Sequence, residues 1–241
     1  MSPTTPVAPH PLAHRPQLHS LLEQLHAISL SQEKQLDARH IHFPKSADDR
    51  LVFQEQLVAL DEDKARAMYC ILRAMGATRV VEAGTSHGVS LLWILAAVLD
   101  NVAAESAASK THSPLVIGTE NEPVKANHCL DHVTKGFGEI PSSLNLLQGD
   151  ILQTLPAANL ADRSIDVLLL DIWSELALPT LKIVLPKLRV GGIVLCDNSV
   201  ASAERYHELL TFLRDGKNGF VSSTLPFSGG FELVVFVGGQ P

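Results

Sequence analysis

The stretch V-V-E-A-G-T-S-H-G-V-S, residues 80–90, decides how the rest of the chain is read. An apolar run ends in an acid at Glu82, and glycines follow at 84 and 88, so backbone can approach a ligand closely where a helix begins. A glycine turn of this kind also serves purely steric needs, and Glu82 is what gives it chemical direction. A carboxylate two residues before the first glycine repels a diphosphate bridge. It accepts hydrogen bonds from, and favours, the cationic amino group of an amino-acid ligand. S-adenosylmethionine carries such a group and no phosphate.

Outward from this turn the chain alternates between strand and helix. Strands are predicted at Arg79–Ala83, Leu115–Thr119, Leu144–Gln148, Ile165–Asp171 and Gly192–Asp197. Helices are predicted from about Val89, from Pro123 and through Leu188. Nearly continuous apolar strands such as V-L-L-L-D and I-V-L-C-D are expected in a parallel sheet covered by helices on both faces, where only the carboxyl edge meets a ligand. A helix around Ala203–Arg214 and two runs, Gly219–Leu225 and Phe231–Val237, predict a terminal antiparallel hairpin. The fold class is therefore α/β: a Rossmann-like, seven-stranded, mostly parallel sheet with a C-terminal antiparallel hairpin.

Before the first strand, Leu18, Leu21, Leu22, Leu25 and Ile28 recur at helical spacing, and Asp61 can cap a second helix. Residues 1–17, rich in proline, read as a flexible tail, and 18–241 as one domain whose N-terminal helices form a lid. Ala103–Ser113 reads as a loop insertion, and His10, His14 and His19 as solvated.

Composition narrows the function. Nineteen Lys and Arg against 26 Asp and Glu give a net charge of −7, which argues against nucleic acid as a partner and for a small organic substrate. The three cysteines, Cys70, Cys129 and Cys196, form no C-x-x-C pair, so neither a disulfide framework nor a zinc site is indicated, and a reducing, cytoplasmic setting is expected. The strongly apolar stretch Leu91–Leu99 is about half of the ~20 residues that a membrane span needs.

Further acids mark the same sheet edge. Glu120 ends the second strand, where a carboxylate can accept two hydrogen bonds from vicinal ribose hydroxyls. Ile151 and Trp173 follow the third and fourth strands, where they can sandwich an adenine ring, core packing being the alternative for Ile151. Asp171, Asp197 and Asn198 end neighbouring strands, and their oxygens can converge on a hard cation such as Mg²⁺; Asp197 and Asn198 also suit a helix cap.

These segments resemble the motifs of class I S-adenosylmethionine-dependent methyltransferases, specifically the cation-dependent catechol and caffeoyl-CoA O-methyltransferases, over about residues 57–237. The resemblance implies cofactor contacts at Leu60 through its backbone, at Glu82, Gly84, Thr85, Ser86, Gly88 and Ser90 around methionine, at Glu120 on ribose, and at Asp150, Ile151 and Trp173 near adenine. It implies Asp171, Asp197 and Asn198 as catalytic metal ligands, a catechol-like phenolic substrate such as a flavonoid or caffeoyl derivative, and a homodimer. One departure stands out: members usually carry Lys three residues after the first metal Asp, where it helps deprotonate the acceptor, and this chain has Ser174. His87 and His207 are the substitutes within view.

Two other classes compete. Short-chain dehydrogenases also use a G-x-x-x-G turn, but neither Tyr69 nor Tyr206 has a Lys four residues later, and Glu82 opposes a pyrophosphate. A binding protein that kept the cofactor pocket while losing the base is the other.

Overall fold

The computed structural model describes residues 9–38, 56–104 and 113–239. Seven strands form one sheet: β1 (Arg79–Ala83), β2 (Leu115–Glu120), β3 (Leu144–Gln148), β4 (Ile165–Leu170), β5 (Leu188–Asp197), β6 (Phe220–Leu225) and β7 (Phe231–Phe236). Their order is β3-β2-β1-β4-β5-β7-β6. The first five run parallel, and β7 lies antiparallel between β5 and β6. Strand order reverses between β1 and β4, and the carboxyl ends of these two strands are where ligands bind in open α/β sheets.

Alternation along the strands builds two cores. Val80, Val167, Leu169, Ile193 and Leu195 face one of them. Val81, Leu168, Leu170, Val194 and Cys196 face the other. The first face is covered by α1 (Pro16–Ala38), α2 (Glu62–Met75), α3 (Val89–Ala104) and α4 (Pro123–Phe137), the second by α5 (Ile151–Ala157), α6 (Ser174–Val184) and α7 (His207–Arg214). Ten consecutive residues of α3, Val89–Val98, are buried, as expected of a helix that is apolar on every side. Among the described residues no helix is long and apolar enough to cross a membrane.

The structure departs from the sequence reading in several places. Helix α5 was not anticipated; it is short, contains Pro156, and begins where Asp150 accepts a hydrogen bond from the Leu152 amide. The helix expected through Leu188 ends at Val184 and continues as a single 3₁₀ turn, Leu185–Lys187, because Pro186 cannot extend the hydrogen-bond ladder. Residues 199–206 form turns, so α7 begins only at His207.

The proline-rich start is not a free tail where it is described. Leu12 is fully buried, and the Arg15 guanidinium makes two hydrogen bonds to Asp100 Oδ1 at 2.6 and 3.0 Å. The nearby histidines are likewise engaged: His10 stacks on His19 with ring centroids 3.7 Å apart, and His14 reaches Asp100 at 3.0 Å. The insertion read at Ala103–Ser113 falls, for residues 105–112, outside the described residues.

Candidate functional site

Glu82 is the penultimate residue of β1, Glu120 and Asp197 close β2 and β5, and Asp171 directly follows β4, so four carboxylates share one edge of the sheet. The loop after β1 crosses this edge. Gly84 has φ +90°, and a Cβ added to it would sit 2.0 Å from the Asp171 carbonyl oxygen. Only glycine permits that approach of the two strand ends. Gly88, at φ +86°, faces the Cys129 side chain, 2.6 Å from where a Cβ would lie. Both glycines thus have steric causes inside the fold.

The loop's amides are spent on the protein itself. Gly84 N donates to Thr119 Oγ1 at 3.1 Å, Thr85 N to Thr119 O at 2.8 Å, Ser86 N to Glu120 Oε2 at 2.7 Å and Gly88 N to Thr85 O at 2.8 Å. A diphosphate cradle needs such amides turned toward the ligand, and here four of them point elsewhere.

Glu82 is completely buried. Its Oε2 accepts from Thr85 Oγ1 at 2.7 Å, while Oε1 has no hydrogen-bond partner. Burial is the main cause that pushes its carboxyl up to about 7, opposed by the nearby Ser90 and Thr85 hydroxyls and reinforced by the Glu120 charge. A buried carboxylate with one unmet acceptor calls for a cationic donor. Glu120 already receives amide hydrogen bonds from Ser86 on Oε2 and from Glu122 on Oε1 at 2.8 Å, which leaves each oxygen a second lone pair.

Six of the anticipated residues line one small cavity: Leu60, Gly84, Thr85, Ser86, Ser90 and Asp171. Its roof is the segment Leu57–Leu60, tied to α1 by the Ala59 amide donating to Ser29 Oγ at 2.9 Å. Ile151 is buried in the core beneath α5, Asp150 caps that helix, and Trp173 is 38% exposed at the start of α6. These three therefore stand outside the cavity's lining. His87 does line it, but burial foremost, with Lys125, His128 and His132 nearby, lowers its ring to about 4, so it is neutral and a weak base at pH 7. His207, at the exposed start of α7, does not line it.

The side chain that sequence reasoning missed is Lys64, in the first turn of α2. It is 1% exposed, and its Nζ lies 2.7 Å from Asp197 Oδ1 and 2.9 Å from Asp61 Oδ2. Asp61 stands at the N-cap position without capping the helix through its side chain, since its carboxylate turns to Lys64 instead. Burial depresses the Lys64 ammonium, but Asp197 and Asp61 outweigh it and hold its pKa above the ordinary value. Asp171 is raised well above the ordinary carboxylate range, first by burial and then by the charges of Asp197 and Glu82, with Lys64 acting in the opposite sense.

This cation bears on the metal expected at Asp171, Asp197 and Asn198. Asp197 Oδ1 is taken by Lys64, and Oδ2 accepts from Asn198 Nδ2 at 2.9 Å. Asn198, at φ +56°, directs its oxygen to the β6–β7 turn, 2.5 Å from where a Cβ on Gly229 would lie. Exchanging its amide atoms would set two oxygens against each other. Among the described residues no group of three His, Cys, Asp or Glu side chains is arranged to hold a metal ion. With the Lys64 ammonium against Asp197 and the Asn198 oxygen turned to Gly229, the three residues as folded do not fit a divalent ion.

Residues 81–199 match the family model described as a methyltransferase domain. Among curated proteins, no sequence matches this chain. Solved structures share the fold: a cofactor-bound protein from MTB at 18% identity, covering 90% of each chain with a TM-score of 0.65. The O-methyltransferase TomG from Streptomyces achromogenes, in complex with SAM, is 19% identical over 75% of this chain and 82% of its own, with a TM-score of 0.61. An O-methyltransferase from Bacillus cereus in complex with SAH is 15% identical over 88% of this chain and 99% of its own, with a TM-score of 0.60.

Proposed function

We propose that this chain, whose residues 81–199 match the model of a methyltransferase domain, binds S-adenosylmethionine and methylates a phenolic hydroxyl of a small molecule. The observation that carries the reading is Glu82: a fully buried carboxylate with one unmet acceptor, beside a loop whose amides face inward. That pairing favours an ammonium and disfavours a diphosphate.

Several side chains have parts in this reading. Glu82 Oε1 would accept from the methionine ammonium, Glu120 from the ribose hydroxyls, and Trp173 would stack on adenine. Leu60, Gly84, Thr85, Ser86 and Ser90 enclose the methionine portion. The cofactor supplies a methyl group on a sulfonium, a good electrophile whose loss leaves a neutral thioether. The acceptor oxygen gains the methyl and releases its proton, and the sheet edge, rich in carboxylates, suits the positive charge that departs.

The resemblance implies a catechol-like acceptor, with flavonoids and caffeoyl derivatives as examples, so vicinal diphenols head the substrates to be tried. No step is assigned to Mg²⁺, because the Lys64 ammonium stands on Asp197 Oδ1, where its charge repels a divalent ion, and Asn198 turns its nitrogen rather than its oxygen to Asp197. A second reading, cofactor binding without transfer, is favoured by Ser174 in the position where a lysine base was expected. Incubation with methyl-labelled S-adenosylmethionine and a panel of mono- and dihydroxy phenols separates them. Labelled ether in at least one member supports transfer; retained cofactor binding with no labelled product across the panel supports the second reading.

A further inference from the structure

We infer that the Lys64 ammonium is the permanent cation of the acceptor side, standing among the carboxylates to which a divalent metal would otherwise bind, so that the site takes no exchangeable metal ion. The inference builds on the methyl-transfer reading only in calling this side the acceptor side; the cation's own role rests on geometry.

Three observations converge. First, Lys64 comes from a helix far away in sequence, yet its Nζ bridges Asp61 and Asp197 at 2.9 and 2.7 Å, with 1% of the residue exposed. A lysine is seldom buried to this degree unless it is paired, because desolvating the ammonium costs several kcal/mol. Second, the charge is in demand: Asp197, Glu82 and Asp61 act on Asp171, Asp61 acts on Asp197, and Lys64 opposes them at both Asp171 and Asp197. Third, Asn198 is set against metal binding, its amide nitrogen donating to Asp197 Oδ2 and its oxygen lodged at Gly229.

An ammonium and a hydrated divalent ion differ in what they ask of an acceptor. A metal with open positions is chelated by two vicinal hydroxyls. Lys64 has three N–H donors, two of them directed at Asp61 and Asp197, and can offer one hydrogen bond to one oxygen.

Manganese serves as the probe, read by the loss of its free-ion electron paramagnetic resonance signal as the purified full chain is added. The wild-type chain should leave the signal of about 100 µM Mn²⁺ undiminished, and Lys64→Arg should do the same because it keeps the charge. Lys64→Ala should take up one Mn²⁺ per chain, at least about tenfold more tightly than wild type, and Lys64→Ala combined with Asp197→Asn should lose it again. Stoichiometric Mn²⁺ uptake by the wild-type chain that Asp197→Asn abolishes overturns the inference. So does a folded Lys64→Ala chain, judged by circular dichroism, that gains no Mn²⁺. If Lys64→Ala does not fold, the wild-type and Lys64→Arg titrations decide: no uptake by either upholds the inference, and uptake by either refutes it. None of these signals depends on turnover, so absence of labelled product would count against methyl transfer while leaving the manganese result to judge Lys64.

Discussion

Replacing Glu82 by Gln should make the ligand-free protein more stable and the cofactor complex weaker, two opposite effects of one atom. In the ligand-free chain the Glu82 carboxyl is held at about 7, against 4.5 for an ordinary glutamate, mainly because it is buried. An acid whose folded pKa is raised favours the fold while protonated. That contribution is complete below about 4.5 and is lost as pH rises through about 7. Each tenfold shift in proton affinity corresponds to about 1.4 kcal/mol, so ionised Glu82 costs the free protein roughly 3 kcal/mol at pH 8 and above. Glutamine keeps an acceptor for Thr85 Oγ1 and has no charge to bury. At pH 8 the variant should therefore melt about 6–12 °C higher for a domain of this size, whereas at pH 4 the two should nearly coincide.

Binding runs the other way. A charge-assisted hydrogen bond from a cofactor ammonium to Glu82 Oε1 is worth about 1.5–3 kcal/mol, which is roughly a 10- to 150-fold loss of affinity in the variant. In wild type the affinity should rise with pH as Glu82 ionises around 7, and in Glu82→Gln that dependence should flatten. Calorimetric titration with S-adenosylmethionine at pH 6, 7 and 8, alongside thermal melts, reads both effects. A variant that binds within about twofold of wild type with the same pH profile, or that melts lower at pH 8, refutes the reasoning.

Substitutions at three more positions test neighbouring parts of the account. Gly84→Ala places a methyl 2.0 Å from the Asp171 carbonyl oxygen at φ +90° and should cost more than about 3 kcal/mol in urea unfolding; a near-wild-type midpoint would show that the strand ends are not packed as described. Leu12→Ala should cost about 2–4 kcal/mol because the side chain is fully buried, whereas a loss under about 0.5 kcal/mol would mean that the segment is a tail after all. Trp173→Ala should weaken S-adenosylmethionine binding by about 1 kcal/mol, near fivefold, with Trp173→Phe retaining most of the affinity; equal losses in both would remove Trp173 from the adenine contact.

The sheet was legible because its strands are apolar runs closed by acids. Glu82 and Glu120 could be placed at the ligand edge from V-V-E and V-I-G-T-E alone, since a parallel sheet covered on both faces exposes only its strand ends. The Lys64 contact was not legible, because it joins residues 133 positions apart and no local pattern encodes such a pairing. A trace of it was nonetheless present: Lys64, Met68 and Leu72 recur every four residues, which sets a lysine in the buried stripe of α2. The prolines at 11 and 16 misled for a physical reason. Proline opposes a helix interior, yet Pro16 starts α1, where a missing amide costs nothing, and the turn before it seats Leu12 in the core. Helix α5 escaped because seven residues containing a proline give too little periodicity to read.

The most direct test of the central claim, that the loop after β1 holds an amino-acid cofactor and not a dinucleotide, is a calorimetric titration of the full chain with S-adenosylmethionine and, separately, with NAD⁺. The account predicts saturable binding of one S-adenosylmethionine per chain and no heat of binding with NAD⁺. Saturable NAD⁺ binding, with none for S-adenosylmethionine, would contradict it.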